Sequence, residues 1–376
     1  MAWPIPKIPE QSVLPPPHYV RWVIFLVIML IMGSLCALFI GHFSTYIPIL
    51  LYGALPGLLL WCCIFGVILN RYEQSGISAF SWHEESQKTK SQWQQWSRKQ
   101  LVVIGNVLLT PEVDGISSIL GETAKIPMYP QKARPLWGGE HPLSVMLSEL
   151  DSKLEEQAVG YRHYLNTIYV LYPSALHRER ERVKSSFFKQ WDLIPEFFSS
   201  IEDINEFNLE SEINGVVLIL CLQTWPNDIP QQSSEFISAQ LLSSSEFIVT
   251  HQFTKIAGLG RIMPLTPEKL PDDLDMLFDY NRLNFNELEH VWLSGDSEDT
   301  SANIALYANS RYWMLPKKKP LHYIDLTFGP PGELAFGLSL SMMVEAVDKT
   351  SKNHLIIYQE SQSSGWMCLI TKELFS

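Results

Sequence analysis

Two unbroken apolar runs dominate the hydrophobic pattern, roughly Val20–Ile40 and Tyr46–Leu69. Between Trp22 and Asn70 the chain carries no Lys, Arg, Asp or Glu. Each run meets the roughly 20 apolar residues needed to cross a hydrocarbon core of about 30 Å. Only Gly41-His42-Phe43-Ser44-Thr45 separates them, so the pattern predicts an antiparallel hairpin of two transmembrane helices. Pro48 and Pro56 fall in the second run, where they bend a membrane helix without breaking it. Trp22, Tyr46 and Tyr72 stand where interfacial rings belong.

Beyond the apolar runs the period changes. Ser81–Arg98 reads as a polar helix with Trp82, Trp93 and Trp96 packed on the domain or the interface, with a specific partner groove as the other reading. Strand and helix patterns then alternate, which is α/β. Strands are expected at Leu101–Leu109, Thr167–Tyr172, Val216–Leu222, Phe247–Phe253, His290–Leu293, Leu321–Thr327, Leu355–Tyr358 and Trp366–Ile370. Helices are expected at Pro111–Leu120, Leu143–Ala158, Ala175–Trp191 (capped by Ser174), Ser301–Ser310 and Glu333–Asp348. Lys352–Lys372 closes the chain as a hairpin.

The layout divides the chain into a proline-rich segment (1–19), the hairpin (20–70), a Trp-rich juxtamembrane helix (71–100) and two α/β halves (101–213 and 214–376). The boundary between halves is placed in the polar stretch Glu202–Asn214. Both halves contain a buried strand, a polar loop holding Pro, and a helix, as at Tyr172-Pro173-Ser174 and Trp225-Pro226-Asn227.

Charge sharpens this picture. From Arg71 onward 26 basic residues face 39 acidic ones, which disfavours nucleic acid and an anionic leaflet. Lys7 and Arg21 precede the first run, Arg71, Lys88 and Lys90 follow the second, and the connecting loop has no basic residue. The positive-inside rule therefore puts both termini and the α/β region in the cytoplasm. The long proline-rich lead and the second apolar run argue for a retained anchor over a cleaved signal peptide. Three of the five cysteines (Cys36, Cys62, Cys63) lie in the apolar runs, so Cys221 and Cys368 form no disulfide framework.

Catalytic signatures are sparse. The P-loop, G-x-S-x-G, H-E-x-x-H and paired C-x-x-C patterns do not occur. Gly258-Leu259-Gly260 reads as a turn. The acidic Pro271–Asp279 reads as a helix start and Asp296–Asp299 as a loop, neither with metal-ligand spacing. His177–Arg182 reads as a solvated helix face, with a docking surface for an acidic partner as the other reading. No catalytic, cofactor-binding or metal-binding residue is assigned, and no cofactor is expected.

One stretch stands apart: Leu321–Val347, LHYIDLTFGPPGELAFGLSLSMMVEAV. A strand, a Gly-Pro-Pro-Gly turn, a helix with Ala335, Gly337, Ser339 and Ser341 and a terminal hairpin resemble the C-terminal half of the thiolase-like fold. The ketosynthases of that fold carry a Cys nucleophile with two His, or His and Asn. Here Cys221 lies in an apolar strand, Cys368 lies in the terminal hairpin, and His322 and His354 have no cysteine placed to pair with them. The resemblance implies the fold and not the activity.

The whole layout resembles the adaptor proteins of type VI secretion phospholipase effectors. The hairpin, WSRKQLVVIGNVLLTPE (Trp96–Glu112), a strand with a Pro loop in each half, and the Gly329–Val347 helix carry that resemblance. It implies two thiolase-like halves and a noncatalytic, membrane-anchored adaptor. Its partners would be a lipase-type effector and a secretion spike protein. The alternatives are a thiolase-like acyl-group enzyme and a structural inner-membrane secretion component.

Overall fold

The computed structural model describes residues 2–41, 45–112, 116, 120, 132–137, 142–173, 179–198, 214–225, 232–295, 298–316, 320–359 and 364–375. It divides into two compact units, Pro6–Gln92 and the remainder, Met1–Ile5 with Trp93–Ser376.

In the first unit, helix α1 spans Tyr19–Phe39. A second helix starts at Tyr46–Ile49, passes through a π-helical turn at Leu50–Ala54 and continues as α2, Leu55–Arg98. Both are long and apolar enough to cross a membrane. The second helix does not stop at Leu69: the expected juxtamembrane helix is its direct continuation, because no Gly or Pro cluster interrupts Arg71–Arg98. The π turn lies between Pro48 and Pro56, where missing backbone N–H groups favour such a defect. Gly33 meets the Gly53 carbonyl so closely that neither position has room for a Cβ. Trp61 donates to the Trp22 carbonyl at 2.9 Å and stacks on Phe65 at 4.8 Å.

The second unit is built on one eleven-stranded mixed sheet. Its strands are β1 Leu101–Leu109, β2 Leu165–Leu171, β3 Glu196–Phe198, β4 Val216–Gln223, β5 Phe236–Ser243, β6 Ala257–Leu259, β7 Met263–Leu265, β8 Leu288–Gly295, β9 Leu321–Tyr323, β10 Asn353–Gln359 and β11 Gly365–Thr371. They run β3-β2-β4-β5-β1-β6-β11-β10-β8-β9, with β7 paired to β11. The order is a repeat. Numbered within its own set, each group of five (β1–β5; β6, β8, β9, β10, β11) reads 3-2-4-5-1. In each, the fifth strand is antiparallel to its neighbours while strands 2, 3 and 4 are parallel. The antiparallel pair β1–β6 joins the two sets into one sheet.

Helices α3 (Leu143–Gln157), α4 (Arg180–Trp191) and α5 (Ser245–His251) pair with the first set, and a core of Val102, Ile104, Leu150, Phe187 and Ile248 lies beneath them. Helices α6 (Leu270–Asn281) and α7 (Glu298–Ser310) cover the second set over Leu274, Leu277, Ile304, Leu355 and Leu369. After the short helix α8 (Ile324–Phe328), helix α9 (Ala335–Thr350) covers the other face. Twelve of its sixteen residues are buried, and its core reaches Val103 of β1, Ile219 of β4, Ile356 of β10 and Ile370 of β11. The small residues in its sequence permit this close approach to both sets of strands.

Several expectations change. Phe247–Phe253 is not a strand. Ser244 caps a helix by accepting from the Phe247 N–H at 3.2 Å, and Gln252 closes it in the left-handed region, so capping outweighs the β-like run Phe247-Ile248-Val249. The strand expected at Leu321–Thr327 ends at Tyr323, because Asp325 turns inward and the chain enters α8. Gly258-Leu259-Gly260 is largely strand β6 and not a turn, held by β1 and β11. The helix expected at Pro111–Leu120, the start of Ala175–Trp191, the run His177-Arg178 and most of Glu202–Asn214 lie outside the described residues. Pairing groups β4 and β5 with β1–β3, so the order of the sheet defines the repeat.

Candidate functional site

The carboxyl ends of parallel strands, beside a helix N-terminus, are where an α/β sheet offers a ligand backbone dipoles and a crevice. In the first strand set that place is the end of β4. All eight residues of β4 are buried, and seven of them are apolar or Cys, so Gln223 is the first polar group at its exit. Its Nε2 donates to the Ser234 and Pro331 carbonyls, both at 2.7 Å. These two acceptors fix the amide's orientation and leave Oε1 buried without a partner among the described residues.

The Gly329-Pro330-Pro331-Gly332 turn is thereby fastened to the β4–β5 end. Ser234 N–H donates to the Pro330 carbonyl at 2.7 Å, and Arg134 Nη2 to the Phe328 carbonyl at 3.2 Å. Arg134 Nη1 pairs with Glu112 at 2.5 Å. The Glu235 carboxylate accepts from the Leu136 N–H at 2.9 Å and the Trp225 N–H at 2.5 Å. Gly332 has φ +72, and a Cβ there would lie 2.7 Å from Ser233 Cβ and 3.0 Å from Gln223 Oε1. Only glycine fits this turn, which leads through Gly332–Leu334 into α9. Farther along α9, Ser341 donates to Asn106 Oδ1 at 2.8 Å, while Asn106 Nδ2 donates to the Ser341 carbonyl at 3.1 Å. Gln240 of β5 also donates to Asn106 Oδ1, at 3.1 Å.

In the second set, Asp325 accepts from Ser294 Oγ at 2.5 Å and from the Gly295 N–H at 2.8 Å. Burial holds this carboxyl above its ordinary pKa. At the opposite, amino end of these strands, His290, His322 and His354 gather under Trp292. His290 Nδ1 lies 3.3 Å from His322 Nε2, and the His290 and His354 rings stack at 4.6 Å. Trp292 donates to His354 Nδ1 at 2.9 Å, so His354 carries its proton on Nε2, 2.8 Å from Thr350 Oγ1. Burial, with His290 and His322 alongside, lowers the His354 pKa to about 2. Burial likewise lowers His290. Burial thus keeps the His290 and His354 rings as neutral packing groups.

The two cysteines of the unit are placed as small core residues, as expected. Burial pushes the Cys221 thiol up to about 11 and raises Cys368 further. Cys368 donates to the Gly260 carbonyl at 3.4 Å. A neutral thiol in an apolar strand is a poor nucleophile. Among the described residues no cluster of His, Cys, Asp and Glu could hold a metal ion. The acidic Pro271–Asp279 stretch forms most of α6. The Gln223 seam escaped the sequence reading because its partner in the Gly-Pro-Pro-Gly turn, Pro331, lies 108 residues away; the only signal was a Gln closing an apolar run.

No family model matches the chain, and no curated protein matches it. Solved structures do. The oxazolomycin ketosynthase domain of Streptomyces albus aligns at TM-score 0.52 and 9% identity, over 73% of this chain and 96% of that one. A type II polyketide ketosynthase, solved with its acyl-carrier protein and a bound hexaketide, aligns at 0.53 and 10%, over 73% and 100%. A β-ketoacyl synthase from Burkholderia phymatum aligns at 0.51 and 10%, over 73% and 100%. The second unit has the thiolase-like fold of these enzymes, in two like halves. The effector-adaptor function expected from the layout is overturned: the solved structures that the chain is similar to are ketosynthases and related synthases.

Proposed function

We propose that this chain is a membrane-anchored, thiolase-like protein that binds an acyl group carried as a thioester, at the seam of Gln223, Ser234 and the Gly329–Gly332 turn. The seam is the observation that carries the reading: it sets the N-terminus of a sixteen-residue helix against the carboxyl end of β4. Backbone N–H groups of the α9 entry suit a thioester carbonyl oxygen. Phe236 and Phe328, edge to face at 6.1 Å, make the buried apolar core next to the seam. Support for an acyl ligand comes from the fold, whose solved examples include a ketosynthase holding a polyketide. Binding is noncovalent, because Cys221 and Cys368 are buried as neutral thiols. The two apolar helices support an anchor in a bacterial inner membrane, and the Lys/Arg bias supports a cytoplasmic position for the unit.

The test uses detergent-solubilised full-length protein with octanoyl-coenzyme A. A saturable rise in melting temperature with unchanged intact mass is the expected result. No rise at millimolar thioester, or an octanoyl adduct on a cysteine, would overturn the reading.

A further inference from the structure

Residues Met1–Ile5 belong to the same compact unit as Trp93–Ser376, although both long apolar helices intervene in the chain. Trp3 stands edge-on to Trp96, with centroids 5.5 Å apart, and to Tyr280 at 6.5 Å. Ile5 is 3% exposed, and its N–H points at Met276 Sδ at 3.4 Å. Trp96 is held from other directions by Trp93, edge-on at 5.5 Å, and by Arg261. The Arg261 guanidinium lies 4.1 Å from the Trp96 ring centroid, and its Nε donates to the Trp96 carbonyl at 2.8 Å. These residues make an aromatic groove, and Trp3-Pro4-Ile5 fills it. Pro4 has its φ fixed by the ring, so Trp3-Pro4-Ile5 loses less backbone freedom on docking than an unrestricted segment would.

The contact also carries a cost. The indole N–H groups of Trp3 and Trp96 are both buried without acceptors among the described residues. Each gives up a hydrogen bond to water when the groove is filled. Ring packing therefore works against two lost hydrogen bonds, and the contact sits near balance instead of being locked.

We infer that Trp3–Ile5 is a releasable latch in a proline-segment docking groove made by Trp93, Trp96, Met276 and Tyr280, and that both flanks of the apolar hairpin lie on one side of the membrane. The second part follows from connectivity. The chain leaves this unit after Ile5 and returns to it at Trp93, so whatever crosses a bilayer between them crosses an even number of times.

The experiment compares the full-length protein in detergent with the double variant Trp3→Ala/Ile5→Ala. Amide hydrogen exchange is read at 94–99 and 276–283. A peptide of residues 2–8 is then titrated into both proteins. In the variant, exchange in those two segments should rise at least about tenfold, with β4 and β10 unchanged. The peptide should bind the variant and not the native protein. Equal exchange in the two proteins, or equal peptide binding, would overturn the latch. Single cysteines at Ala2→Cys and Lys352→Cys, labelled in intact cells with an impermeant maleimide, test the crossing independently of the variant's stability. Both protected or both labelled is expected; labelling of one alone would overturn an even number of crossings.

Discussion

Arg282 Nε and Nη2 both donate to one atom, Gln94 Oε1, at 2.8 and 2.6 Å. The same Gln94 donates through Nε2 to the Asp279 carbonyl at 3.2 Å. Ser97 donates to the Tyr280 carbonyl at 2.8 Å, and Arg98 to the Asn281 carbonyl at 3.2 Å. The last turn of α2 thus donates to three consecutive carbonyls at the C-terminus of α6, of which that of Asp279 also accepts from the Arg282 N–H at 3.3 Å. The polar residues around Trp93 and Trp96 thus tie the end of α2 to α6 within the sheet unit.

Gln94→Ala should therefore destabilise the unit by about 1–3 kcal/mol, since Gln94 is buried and its loss leaves the Asp279 carbonyl and the Arg282 fork with fewer partners. Equilibrium unfolding of the solubilised protein measures it. Lys99→Ala, on an exposed neighbour, should change stability by no more than about 0.5 kcal/mol.

Acid should weaken the fold through His354. Its folded pKa of about 2 lies below the ordinary 6.5, so the unfolded chain binds the extra proton between these values. The resulting stability is fully present above pH 6.5 and is lost as pH falls towards 2, at about 1.4 kcal/mol per unit, or about 2 kcal/mol by pH 5. Asp325, raised by burial, acts in the opposite direction, so the comparison must be with His354→Gln, which keeps an acceptor for Trp292. The variant should show a flatter loss of melting temperature between pH 6.5 and 5. An unchanged slope would rule His354 out.

The same histidines show what the sequence could convey. Runs of consecutive apolar residues made Val216–Leu222, Leu355–Tyr358 and the two long helices legible. Phe236–Ser243 was not legible: Ser238, Gln240 and Ser243 interrupt its apolar pattern, yet all are buried. Ser243 donates to the Gly215 carbonyl at 2.6 Å, and Gln240 reaches Asn106. Polar groups satisfied by distant partners look like surface until the partners are known. Strands of three residues, such as β6, β7 and β9, are too short to show a period, and their pairing creates them. The candidate site had one visible part, the Gly-Pro-Pro-Gly turn before α9. Its other part, Gln223, meets the turn only through folding.

Thiol chemistry separates a core cysteine from a nucleophile. In the native solubilised protein, Cys221 and Cys368 should resist maleimide at pH 7 and react fully in denaturant, because burial keeps both thiols protonated. Cys221→Ser should cost about 1–3 kcal/mol by placing a more polar group in β4. Rapid native labelling of Cys221 would instead reveal an accessible thiolate.

Gly332 offers the sharpest test of the seam, because a matched control exists. Gly332 and Gly160 have similar positive φ values, 72 and 77. An alanine at either position meets the same left-handed backbone penalty of about 1–2 kcal/mol. Their surroundings differ. At Gly160 the nearest neighbour of a new Cβ is His163 Cδ2 at 3.9 Å, ordinary contact, whereas at Gly332 it lies 2.7 Å from Ser233 Cβ and 3.0 Å from Gln223 Oε1. Gly160→Ala should thus show the strain alone, while Gly332→Ala adds a displacement of the turn from the β4–β5 end. Unfolding should place Gly332→Ala at least about 1 kcal/mol below Gly160→Ala. At a temperature where both remain folded, octanoyl-coenzyme A should bind Gly160→Ala as it binds the native protein and bind Gly332→Ala at least about tenfold more weakly, a loss of about 1.4 kcal/mol. Equal thioester affinity in the two variants would move the ligand away from the entry of α9.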